Sequence, residues 1–226
     1  RGLGDVYKRQ IMYSRAAQPQ QTSSVITQAI NDKNTPMVIK NLILKMKEQM
    51  EVNDDQFPEL IKEVENYTNS CADSASVAVL HSMLAEMYQS YYQRNQWTIN
   101  QRTQLSGYIP EDIRVWTSNL FTDKIKEEID LSLRPTALLQ NTPVSKFKDI
   151  LEIGKDSQTL RPTLYEFLAF RALDIQPTVQ IYKDLIAFQN KEPNMKSVLL
   201  TELDYLRFLY GDKRDKESFE AYMNAL

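Results

Sequence analysis

The sequence predicts an all-α protein built as an irregular array of antiparallel helical hairpins, and three observations carry that expectation. Apolar residues recur at three- and four-residue spacing, as in Val77, Leu80, Leu84, Tyr88 and Tyr91, and again in Ile113, Trp116, Leu120 and Phe121. The strict period-two alternation of a half-buried strand does not persist beyond a few residues. Glycine is scarce: of five in the chain, two lie in the first four residues, and from Ile11 onward only Gly107, Gly154 and Gly211 remain.

Taken in order, the periodic segments place helices at 22–31, 36–51, 57–69, 74–94, 111–133, 143–153, 162–174, 177–190, 195–210 and 215–226. Pro36, Pro58, Pro110, Pro143, Pro162 and Pro177 each stand at the head of one of them. Proline is tolerated there because the first helical turn has no acceptor for its missing N–H. Thr35 and Thr142 offer hydroxyl caps, Asp54 and Asp55 favour the start of the next helix through its dipole, and Gly154 and Gly211 suit helix ends. Short connections imply antiparallel neighbours. Two joins are longer, 95–110 and 134–142, the second containing "TALLQ" as a short helical turn. The helix pairs fall on the scale of tetratricopeptide units, and "LAEMYQSYYQRNQW" resembles the spacing of small, aromatic and turn residues in that repeat, although no stretch meets its full consensus.

Composition narrows the function classes. At 226 residues the chain is long enough for a sizeable core, and 42% hydrophobic with 25% charged residues is ordinary for a globular protein. A net charge of −3 without a basic block argues against nucleic-acid binding, which draws its affinity from phosphate neutralisation. One cysteine, Cys71, allows no internal disulfide, and together with the single His81 it cannot supply a Cys/His metal cluster. No apolar run approaches the length of a membrane span. The opening "RGLGDVYKRQ" resembles a translated sequencing adapter, so residues 1–10 are expected to be foreign and 11–226 a single helical domain cut from a longer protein.

The stretch "LHSMLAEMYQSYYQRNQW", residues 80–97, is where chemistry would be sought first. His81 sits at the edge of the apolar stripe, one turn from Val77 and Leu84, and a general base needs a neighbour to orient it. Ser82 points to another face, so the spacing favours a half-buried, packing or hydrogen-bonding histidine. Met83, Met87, Tyr88, Tyr91, Tyr92 and Trp97 fit either a peptide groove or, more simply, packing between helices. Adjacent Tyr91 and Tyr92 cannot face the same way. Carboxylate pairs such as Glu63/Glu65, Glu127/Glu128 and Glu202/Asp204 diverge on a helix and read as solvated faces or caps. No phosphate loop, zinc helix or nucleophile elbow occurs. No catalytic, cofactor-binding or metal-ligating residue is therefore assigned. In the long join, Arg102 is placed to bond loop carbonyls, Asp112 and Arg114 are poorly spaced to pair, and Arg114 reaches toward Ser118 or a neighbouring helix. Tyr91, Tyr92, Trp97, Arg102 and Tyr108 form the candidate partner-contact surface.

Two segments carry a resemblance. "INQRTQLSGYIPEDIRVWTSNLF" and "GKDSQTLRPTLYEFLAFRAL", within residues 36–210, resemble the N-terminal helical region of Bacteroides-type bacterial alpha-2-macroglobulin family proteins. The resemblance implies a cell-envelope protein, periplasmic or a surface lipoprotein, in which β-sandwich domains follow the helices and trap endopeptidases, in many members through a Cys–Gln thioester. Cys71 is followed by Ala72, Asp73 and Ser74, so the thioester pattern is absent and no reactive residue carries over. The expected role is a non-catalytic scaffold, needing no cofactor, whose partners are β-sandwich domains of the same chain and, through them, proteases. The rival is an independent tetratricopeptide-like adaptor that binds peptides.

Overall fold

The computed structural model describes residues 19–52, 56–103, 109–151, 156–191 and 194–210, together with Glu220 and Asn224. The helices are α1 (Pro19–Asn31), α2 (Thr35–Val52), α3 (Phe57–Ser70), α4 (Ser74–Ile99), α5 (Ser118–Ser132), α6 (Thr136–Asn141), α7 (Ser157–Leu160), α8 (Leu164–Ile175), α9 (Val179–Gln189) and α10 (Met195–Tyr210). Short 3-10 turns occupy Ile113–Val115 and Val144–Phe147. Among the described residues no β-strand occurs, and the all-α reading holds. The helix expected at 215–226, Asp54, Asp55, Gly107, Tyr108, Gly154, Gly211 and residues 1–10 lie outside the described residues, those at 220 and 224 excepted.

The organising element is α4. Its sequence places Ala75, Ala78, Leu80, Met83, Leu84, Ala85, Met87, Tyr88 and Tyr91 around more than one face, and all are buried. Small alanines let neighbours approach closely while the large side chains fill the gaps between them. The helix consequently packs against α3, α5 and α8 at once, with α5 its principal partner. Beyond Tyr91 most side chains are exposed until Ile99, which is buried again.

Local caps set the boundaries. Asp73 accepts from the Ser76 N–H at 3.2 Å and the Ser76 hydroxyl at 2.5 Å, which starts α4. Thr163 and Glu166 form a reciprocal capping box at α8, and Thr178 accepts from the Ile181 N–H at 3.2 Å to open α9. At the α1–α2 turn, Lys33 N–H donates to Ile30 O and Asn34 N–H to Ala29 O, closing a Schellman motif. Lys33 there holds the left-handed position, φ 54°, which glycine fills without steric cost.

Several expectations are corrected. Thr35 lies inside α2, and Asn34 supplies the cap, accepting from the Met37 N–H at 3.2 Å. Thr142 bonds back to Leu138 O at 2.8 Å and starts no helix. Of the helix expected over 143–153, the described residues 143–151 form no α-helix, because Pro143 pairs with Thr163 in an antiparallel bridge that fixes an extended entry. The helix expected over 111–133 begins only at Ser118. Asp112 accepts from the Arg114 N–H at 2.9 Å, and the chain then turns extended at Trp116, ψ 149°, which swings the indole inward. Helix α4 also runs on to Ile99, so Trp97 is helical and not part of the loop. The turn at "TALLQ" is present as α6.

Candidate functional site

The most heavily built region lies where α4 meets α5 and the Trp116 segment. Phe121, fully buried, is its hub: ring centroids of Trp116, Tyr91, Tyr92 and Tyr88 lie 5.3, 5.7, 5.8 and 6.5 Å away. Tyr88 and Trp116 stack face to face at 5.7 Å with 6° between their planes, and Phe57 of α3 lies 6.5 Å from Tyr91. These spacings fall in the range where aromatic pairs add attraction beyond area burial. The Trp116 indole N–H donates to Pro110 O at 2.6 Å, and Arg102 donates to Trp116 O at 2.7 Å. Both ends of the long join are thereby tied to the α4–α5 pair, and Arg102 bonds a loop carbonyl as its position suggested.

Two turns of α4 away, His81 Nδ1 lies 2.7 Å from Glu128 Oε2, and Lys124 Nζ lies 2.9 Å from Glu128 Oε1. Glu128 is only 2% exposed, which corrects its reading as a solvated carboxylate. Burial alone pushes its carboxyl pKa up, but the hydrogen bonds from His81 and Lys124 outweigh that and hold it below the usual carboxylate range. An ionised carboxylate only accepts, so the proton on His81 sits at Nδ1. Lys124 also pairs with Glu127 at 3.0 Å. Burial lowers the Lys124 ammonium pKa, yet its two carboxylate partners leave it above the ordinary lysine value. The group is a lock between α4 and α5: each charge is compensated where it loses water.

Beside the lock opens a cleft of about 500 Å³, floored by Tyr88, Ile113 and Trp116, with Ile109 at its mouth and Lys62, Glu65, Lys124 and Glu127 around it. The Tyr88 hydroxyl donates to Glu65 Oε1 at 2.7 Å. Burial, reinforced by the Glu65, Glu128 and Glu127 charges, pushes the Tyr88 phenol far up, so it stays a neutral donor. The cleft combines an apolar floor with a rim where Tyr88 pairs with Glu65 and Lys124 with Glu127, a geometry suited to receiving an apolar side chain.

The residues of the sequence-derived surface are dispersed. Tyr91 is interior, packed on Phe57 and Phe121, and presents nothing to a partner. Tyr92 is half-buried over Phe121, its hydroxyl 3.2 Å from Asn100 Oδ1. Trp97 is 79% exposed, Arg102 is engaged by Trp116 O, and Tyr108 lies outside the described residues. Asp112 and Arg114, expected not to pair, meet at 3.3 Å, and Arg114 also reaches Glu59 of α3 at 2.9 Å. Sequence reasoning missed Glu128 and Lys124. The signal was present for the first: Glu128 falls one turn after Ile125 and beside Ile129, on the buried stripe of α5. It also missed Arg171 of α8, which donates to Ser82 at 2.9 Å and Glu86 at 2.6 Å across more than eighty residues of chain.

Burial pushes the half-buried Cys71 thiol up in pKa, and among the described residues no group of three His, Cys, Asp or Glu side chains could hold a metal ion. No described helix is long and apolar enough to cross a membrane. Comparison with protein-family models, with curated proteins and with solved structures returns no match for this chain.

Proposed function

We propose that this chain is a non-catalytic helical scaffold with tetratricopeptide-like hairpins, the N-terminal helical region of an alpha-2-macroglobulin-like endopeptidase inhibitor of the cell envelope. The trapping parts of such a protein would lie outside these residues, and the scaffold's partners would be the β-sandwich domains of the same chain. The two segments quoted above support the family reading. The observation that carries the scaffold role is the lock: the only imidazole is held by Glu128 between two helices, where a general base would have to face a substrate. The test is the uninterrupted gene, expressed whole and assayed for protection of protein substrates against endopeptidases. β-Sandwich domains downstream and inhibition that survives His81→Ala are expected. A stop codon close after residue 226, or turnover that disappears with His81→Ala, refutes the reading.

A second reading, the independent adaptor, is favoured by exposed Trp97 and by Ile109, 70% exposed at the mouth of the Tyr88–Trp116 cleft. It expects Trp97→Ala and Ile109→Ala to abolish capture of a protein partner without moving the melting temperature. Unchanged capture refutes it.

A further inference from the structure

A second and larger concavity, about 880 Å³, runs between α5, α6 and α9 and shares no lining residue with the cleft beside the lock. We propose that this groove binds an extended, carboxylate-bearing peptide segment of a partner protein.

The groove's charge is the first argument. Its lining carries Lys126, Arg134 and Lys191 against Asp130 and Asp184, a local excess of one positive charge in a chain whose net charge is −3. Among the described residues no ion pair neutralises any of the three cations. Asp184 is already engaged, accepting from the Gln180 amide at 2.8 Å.

A phenol hydroxyl at the groove wall is the second. Tyr165, 4% exposed, packs its ring edge-on to Phe188 at 5.2 Å and lines the groove. Among the described residues its hydroxyl makes no hydrogen bond, and it is not one of the fully buried polar atoms left without a partner, so it opens to water in the groove. Burial and then the Asp184 charge push the phenol up to about 12, so at neutral pH it stays a protonated donor. The Tyr165 hydroxyl adds one donor to the three cations, which suits a ligand rich in carbonyl and carboxylate oxygens.

Shape is the third. Lys126 lies six residues, about 9 Å of helical rise, before Ser132, the last residue of α5, and Arg134 follows two residues later. That length accommodates roughly three residues of extended peptide. The floor of Ile129, Ile181 and Phe188 is apolar and suits side chains alternating with the charged ones. A polyanion such as RNA would need a continuous basic track, which two carboxylates interrupt.

The experiment uses the full chain on an immobilised array of random hexapeptides graded from none to four Asp or Glu residues, beside single-stranded oligonucleotides and glycans. Peptide signal is expected to rise with carboxylate number and to fall with added salt. The Arg134→Glu, Lys191→Glu double variant is expected to lose about tenfold in affinity for the best acidic peptide, and Tyr165→Phe several-fold. Arg134 and Lys191 are exposed, so the melting temperature should hold; if the reversal disturbs it, Arg134→Gln with Lys191→Gln replaces it. Signal independent of carboxylate number, affinity retained in the double variant, or oligonucleotides or glycans outcompeting acidic peptides overturns the proposal.

Discussion

Replacing Glu128 by alanine removes both acceptors of the α4–α5 lock, and the structure sets the cost. Two hydrogen bonds to a charged group, at 2.7 and 2.9 Å, disappear from a site that is 2% exposed. Such bonds contribute about 1.5–3 kcal/mol each, so the upper limit is about 6 kcal/mol. Lys124 keeps Glu127 at 3.0 Å and His81 retains some solvent access, which together reduce the expected loss to about 2–4 kcal/mol. For a domain of this size that corresponds to a fall in Tm of roughly 4–16 °C. Urea unfolding followed by circular dichroism measures it, and a cycle with His81→Ala should return a coupling of about 1–3 kcal/mol. The pH dependence has a defined sign. The folded carboxyl of Glu128 titrates below its unfolded value, so its contribution is complete above about pH 4.3 and is lost as pH falls through the folded value. Lys124 titrates above its unfolded value, so its contribution persists to about pH 10.4 and is lost only at higher pH. A Glu128→Ala loss below about 0.5 kcal/mol, or one that does not shrink in acid, would refute the lock.

The remaining expectations are smaller in scope. Phe121→Ala empties the hub shared by four aromatic rings and should cost about 3–5 kcal/mol in chemical denaturation, with a red shift of Trp116 emission. Thr163→Ala removes one half of the α8 capping box and should cost about 1 kcal/mol, read from the same unfolding curves. Lys33→Gly relieves a left-handed residue in the α1–α2 turn and should raise stability by about 1 kcal/mol, where a loss would show the strain to be absent. The chain has two tryptophans, one 79% and one 8% exposed, so Trp97→Phe should abolish most iodide quenching while leaving stability within about 0.5 kcal/mol.

Helix existence was legible in the sequence because the signal is local: three- and four-residue apolar spacing, and prolines at segment starts, need no knowledge of distant residues. Boundaries were less so. Asp112 and Trp116 both fell within the one helix expected over 111–133, yet the Asp112 cap and the burial of the indole against Phe121 and Tyr88 divert the chain until Ser118. Thr142 carried a cap's composition but was used by the turn behind it.

The all-α class and the central stripe of α4 were legible from sequence alone, since each follows from the periodicity of a single helix. Only tertiary structure decided what the charged residues do. Glu128 meets His81 across 47 residues, Arg171 meets Ser82 across 89, and the uncompensated cations of the second groove come from α5, the turn after it and the end of α9. Burial and charge pairing depend on which surfaces come together in space, and a local pattern carries no record of a partner that far along the chain.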